Sequence, residues 1–301
     1  MSINIVKVDL GVDIIESIAK DIKSKISNNK EVIVLVSNKR PIRFISQYLS
    51  FVEMLKTEFY TLDGFFKKLV MTFYSDENIK YLSPLENYFI LLKTIREFPD
   101  LYTMLGGTDE KVFSWCKKIY SLLSEIEREL LHDKIKDFQY VEAPQSIKGI
   151  LEQLKLLYEK YKNNMKYFTN NSDIYIKLQS ILNKDTLIEF LSQKEFVVLG
   201  PIYLSKVDVN FFKAVSEKSE LTYYIHTDLH RRDLMVKGDK EFRFGIFDIV
   251  EDTIDILKKE IKTHNLLEIK GEKVLPELEI YETDDSLSEC RITKDIINNV
   301  K

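Results

Sequence analysis

Val32 to Val36, inside EVIVLVSNKRPIRF, is the stretch that most restricts the fold: five apolar residues in a row, four of them β-branched. A run of that length and stiffness is a strand covered on both faces, and such strands belong to parallel sheets flanked by helices. It leads straight into Lys39, Arg40 and Arg43, so a buried strand carries three positive charges to the edge of its sheet.

The surroundings agree with a parallel sheet. INIVKVDL alternates as a strand does, and VDIIESIAKDIKSKI then places Ile14, Ile15, Ile18, Ile22 and Ile26 at helical spacing. PIRFISQYLSFV resumes the helical period with Pro41 suited to a first turn. The order strand, helix, strand, helix over the first fifty residues predicts an α/β fold with a parallel sheet. TEFYTLDGFFKKLVMTFY follows as a short extended piece and a helix capped by Thr61 or Asp63.

From about Ser83 the pattern changes. SPLENYFILLKTIREF, DEKVFSWCKKIYSLLSEIERELL and QSIKGILEQLKLLYEKYKNNM are helical, with no strand between them, and predict an inserted all-helical subdomain over 83–193. The α/β signal returns in KEFVVLGPIYLSKVDVNFFKAVSE and LTYYIHTD. A polar connection, LHRRDLMVKGDKEFRFG, leads to the amphipathic FDIVEDTIDILKKEIKTH, and ELEIYETDDSLSECRITKDIINNVK reads as a strand and helix opening a further lobe. The expected domains are therefore 1–82 and 194–301 as the two parts of one lobe, with 83–193 inserted between them.

At 301 residues with 45% hydrophobic content, the chain can bury a large core, which excludes a disordered class. Its 44 basic and 48 acidic residues give a net charge of −4, so any nucleic-acid binding must come from a local patch. Cys116 and Cys290 lack metal-type spacing and read as packed thiols in a reducing compartment. Without a signal-peptide core or a run of about 18 apolar residues, a cytoplasmic protein with no membrane contact is expected.

Catalytic motifs are weak. A P-loop needs a Gly-rich turn and GK[ST]; after the first strand stands VDLGVDIIESIAK, with Gly11 alone and Asp9 and Asp13 where phosphates would sit. A later strand ends in Gly200, Pro201 and Ile202 rather than in the carboxylate that magnesium requires. PDLYTMLGGTDEK contains the nuclease-like set Asp100, Asp109 and Lys111, but between helices, where GGTDE reads as a turn and cap. EIK at Glu268 to Lys270 is a looser match without a partner acid. HTDLH puts His226, Asp228 and His230 on one strand face without a metal-site context. No nucleophile motif, cofactor or metal set is expected.

Charge and aromatic residues remain. Lys39, Arg40 and Arg43 follow one strand, Lys67 and Lys68 follow FYTLDGFF, and Arg231 and Arg232 follow LTYYIHTD. Ligands of open parallel sheets bind outside the strand ends, so these groups predict a groove for a phosphate backbone, with Tyr60, Phe65 and Phe66 as stacking groups.

In order, these pieces resemble the N-terminal helicase-like region of AddB/RexB-type proteins, the subunit-B family of bacterial helicase–nuclease complexes. VLVSNKRPIRFISQYL is similar to the family's strand, P-N-[RK]-R-like turn and helix, and FYTLDGFFKKLV to its T-[LI]-x-[DE]-F piece, headed by Thr61. Phe113, Trp115, Leu122, Leu123 and Glu125 resemble its F-x-x-W helical stretch, with Phe113 and Trp115 one residue closer than in that pattern. VVLGPIYLSKVDVNFFKAV keeps Gly200, Leu204 and Ser205, with Ile202 for an aromatic residue and Asp208 for an acid. Glu282, Ser286 and Glu289 stand near the pattern that opens the next lobe.

The resemblance implies a superfamily-1 helicase-like, degenerate P-loop-like lobe with a helical insertion. Such lobes often lose the Walker residues, hold single-stranded or unwound DNA, and contact a subunit-A-type helicase–nuclease in double-strand-break repair; some relatives help to recognise a short regulatory DNA sequence. The implied nucleic-acid contacts are Lys39, Arg40, Arg43, Thr61, Lys67, Lys68, Arg231 and Arg232. Full-length relatives carry a PD-(D/E)XK exonuclease domain further on, outside these residues. The alternative from another class is a protein-interaction scaffold that binds neither ATP nor DNA.

Overall fold

A computed structural model describes residues 2–74, 80–135, 145–166, 168–170, 172–200, 203–227, 229 and 245–271. Six strands form one wholly parallel sheet: β1 (Ile3–Asp9), β2 (Glu31–Val36), β3 (Thr57–Thr61), β6 (Lys194–Leu199), β7 (Leu221–Thr227) and β8 (His264–Ile269). Their spatial order is β3-β2-β6-β7-β1-β8. The α/β fold class with a parallel sheet is thus as expected.

Handedness explains where the helices lie. The connections β1 to β2 and β2 to β3 step towards the β3 edge. Those from β3 to β6, β6 to β7 and β7 to β8 step back. Right-handed crossovers in opposite directions must cover opposite faces. The first face carries α1 (Ile14–Ser27), α2 (Arg40–Gln47) and α3 (Phe51–Leu55). There Ile14, Ile18, Ile22, Ile26 and Ile45 pack on Val32, Val34 and Val36.

The second face carries α4 (Leu62–Phe73), α9 (Asp173–Ile181), α10 (Asp185–Ser192), α11 (Lys206–Lys218) and α12 (Gly245–Glu260). They bury Ile33 and Leu35 together with Phe65, Phe66, Phe196, Phe211 and Phe212. The alternation of β2 between the two faces is why all five of its apolar residues are buried.

The helical insertion is smaller than 83–193. Helices α5 (Pro84–Arg96), α6 (Pro99–Met104), α7 (Asp109–Arg128) and α8 (Gln145–Asn164) share a second core between Leu82 and Met165. Helices α9 and α10 have the same periodicity, but their Ile174, Leu178, Ile181, Leu187 and Leu191 pack into the sheet layer. A two-stranded parallel ribbon, β4 (Lys80–Tyr81) with β5 (Phe168–Thr169), closes the neck where the chain enters and leaves the block. At two residues per strand it is too short for periodicity to reveal, hence the expectation of no strand there. Strand β8 was also not foreseen: five of its six residues are exposed, so it lacks an apolar face.

Candidate nucleic-acid interface

At the end of β1 the chain turns into α1, whose free N–H groups point where a phosphate would sit in a nucleotide-binding fold. Asp13 occupies them. Its Oδ1 accepts from the backbone N–H groups of Ile15 at 2.8 Å and Glu16 at 3.2 Å, and its Oδ2 from the Tyr48 hydroxyl at 3.2 Å. Asp9, almost wholly buried, accepts from Leu10 N–H at 3.0 Å and Leu229 N–H at 3.3 Å. The carboxylate of Asp13 therefore satisfies the anion-attracting end of this helix, and the buried Asp9 adds negative charge beside it.

The loop after β2 has the opposite character. Asn38 Oδ1 accepts from Arg40 N–H at 3.0 Å, an Asx turn that starts α2 with Pro41 in its first turn. Ile45 is buried, with Ile42 and Leu49 half-buried around it. The far side of the helix thereby faces solvent with Lys39, Arg40, Arg43, Phe44, Gln47 and Tyr48. Among the described residues none of the three cations makes an ion pair.

Of the other expected contacts, Thr61 ends β3 beside Val36 of β2 and so lies at the same edge of the sheet, while Lys67 and Lys68 are engaged by other groups. The Thr61 hydroxyl caps α4, accepting from Gly64 N–H at 3.2 Å. Lys67 lies over the Tyr81 ring, 3.8 Å from its centroid. Lys68 donates to Glu58 at 2.7 Å and to the Tyr60 hydroxyl at 2.6 Å. Glu58 stands near the start of β3 and also pairs with Lys194, the first residue of β6, at 3.7 Å. Lys68 is thus drawn towards the amino ends of the strands, away from Lys39, Arg40 and Arg43.

The expectation for Phe65 and Phe66 as stacking groups is corrected: both are fully buried, ring-packed on Phe211, and no base can reach them. Tyr60 is half-buried with its ring on Phe65. Arg231 and Arg232 lie outside the described residues, as do Asp228, His230, Cys290, Glu282, Ser286 and Glu289.

Gly200, at the end of β6, has a packing reason to be glycine: a Cβ there would overlap the ring and hydroxyl of the buried Tyr223. The Leu-Ser-x-x-Asp pattern that follows, Leu204 to Asp208, is a capping box. Asp208 accepts from Ser205 N–H at 2.9 Å, and Ser205 Oγ accepts from Asp208 N–H at 3.3 Å. Arg128, at the end of α7, reaches in to donate to Ser205 Oγ at 3.2 Å and Asp208 at 3.3 Å, and so ties the helical block to the lobe. Arg128 lines two clefts, of about 610 and 320 Å³. The larger is lined by Asp63, Glu125 and Glu129, while the Arg128 charge is committed to Asp208, so the charge of this cleft does not favour a phosphate.

The nuclease-like residues sit on helices. Asp100 is in the first turn of α6, and Asp109 opens α7, held by Arg96 Nε at 2.9 Å and the Tyr102 hydroxyl at 2.9 Å. Thr108 precedes α7 but makes no capping bond. Cys116 is a packed thiol whose pKa burial pushes up to about 11. His226 is exposed, its Nε2 3.3 Å from the Val12 carbonyl. Among the described residues no helix is long and apolar enough to cross a membrane.

No protein-family model matches the chain, and no curated protein matches it.

Proposed function

We propose that this chain is a helicase-like module that performs no chemistry itself and holds single-stranded or unwound DNA along the carboxyl edge of its sheet. In this reading it works in the cytoplasm within an AddB/RexB-type assembly, alongside a subunit-A-type helicase–nuclease in double-strand-break repair. The observation that carries it is the contrast between neighbouring strand ends. Carboxylate fills the nucleotide-phosphate position after β1, while the loop and helix after β2 present Lys39, Arg40 and Arg43 unpaired to solvent. Exposed cations at the strand ends of an open parallel sheet suit a phosphate chain.

The test is fluorescence anisotropy of a labelled single-stranded oligonucleotide over a range of salt, with and without ATP. Arg40→Ala and Arg43→Ala should each weaken binding and lower the salt slope by about 1, and ATP should change nothing. Variants that bind like the parent would show that the groove assignment is wrong. A protein-interaction scaffold is the second reading, supported by the exposed apolar residues of α3, Phe51, Val52 and Leu55. It predicts no oligonucleotide binding even at low salt.

A further inference from the structure

We infer that the solvent face of α2 is a base-stacking surface for single-stranded nucleic acid, with Phe44 and Tyr48 as platforms and Arg40 and Arg43 on the flanking phosphates. This rests on the strand-holding function proposed above and adds how the bases are engaged. Arg40, Arg43, Phe44, Gln47 and Tyr48 fall within about 140° of one another around the helix. The face they form has two guanidinium groups, two aromatic rings and one amide from α2, with the Asp13 carboxylate of the neighbouring α1 turn at its Tyr48 end. An exposed surface of two arginines and two aromatic rings, whose bordering Asp13 is engaged by the Tyr48 hydroxyl and the α1 backbone, is complementary to a phosphate chain carrying exposed bases.

The rings are available and supported. Phe44 is 44% exposed and Tyr48 42%, both high for large aromatic side chains. Buried Ile45 and half-buried Ile42 and Leu49 anchor the helix beneath them. The Tyr48 hydroxyl donates to Asp13 at 3.2 Å, which restrains the ring by its edge and leaves a face open. Four residues apart, Phe44 and Tyr48 are offset by a backbone rise of about 6 Å along the axis, a spacing that suits one ring to each of two successive bases. The aliphatic surface that suits a protein partner begins only at α3.

The test compares the full chain, Phe44→Leu and Tyr48→Leu for binding to labelled oligo(dT) and to an abasic oligomer of the same length, across salt. Unchanged circular dichroism and melting temperature would show that these surface variants remain folded. If the bases stack here, the parent prefers oligo(dT) over the abasic oligomer. Each variant then binds oligo(dT) about tenfold more weakly, with the salt slope unchanged because no phosphate contact is lost. A parent that binds both oligomers equally, or variants that match the parent, would overturn the stacking surface and leave the phosphate-holding function standing. A parent that binds neither oligomer at low salt would overturn both, and the face would belong to a protein partner.

Discussion

Asp208 shows what a single buried charge does to this molecule. Its side chain is almost completely enclosed, and burial raises its pKa above the ordinary carboxylate range even though Arg128 and Ser205 pull the other way. A carboxyl whose folded pKa lies above its unfolded value binds a proton more tightly when folded. The stability it contributes is complete below the unfolded pKa of about 3.9 and is lost as pH rises through the folded value. Asp208→Asn keeps the shape and cannot ionise. The stability of the parent relative to this variant should therefore fall as pH rises from about 3 towards neutrality, read from urea midpoints at several pH values. A flat or rising difference would mean that the Arg128 pairing outweighs desolvation.

At the scale of elements, caps decide where helices begin. Ser50 with Glu53, Ser83 with Glu86, and Ser205 with Asp208 all form reciprocal capping boxes. They are not equivalent, because Ser83 caps an exposed helix start whereas Ser205 is fully buried and also accepts from Arg128. Ser83→Ala should cost about 1 kcal/mol. Ser205→Ala should cost about 2–3 kcal/mol, because it removes the cap and also leaves Arg128 and Asp208 short of a hydrogen-bond partner. Chemical denaturation of both variants gives the comparison, and equal costs would show that Arg128 finds another partner when the hydroxyl is gone.

At the scale of the whole molecule, the helical block has its own core, and the β4–β5 ribbon brings its entry and exit points together. Replacing residues 82–167 by a Gly/Ser linker of about a dozen residues, the least a parallel crossover needs, should leave a lobe that unfolds cooperatively with its sheet intact. It should be less stable than the full chain, because Asp208 loses Arg128. Oligonucleotide binding should persist, since α2 lies on the opposite face of the sheet from the neck. A shortened chain without a cooperative transition in denaturation monitored by circular dichroism would show that block and lobe form one folding unit.

The sequence by itself determined the elements with a strong local period. These are the β-branched β2, the isoleucine ladder of α1, the Pro41 start of α2 and the long helices of the insertion, because such patterns depend only on neighbours along the chain. It also carried the Lys39, Arg40 and Arg43 cluster, whose members stand together on one turn. Tertiary structure alone decided the strand order and the assignment of α9 and α10 to the sheet rather than the insertion, since an amphipathic helix does not record what its apolar face will meet. It alone separated Phe65 and Phe66, which fill the core, from Phe44 and Tyr48, which face solvent. Composition cannot tell an aromatic residue that is buried from one left outside, because that depends on which face of the sheet each helix covers.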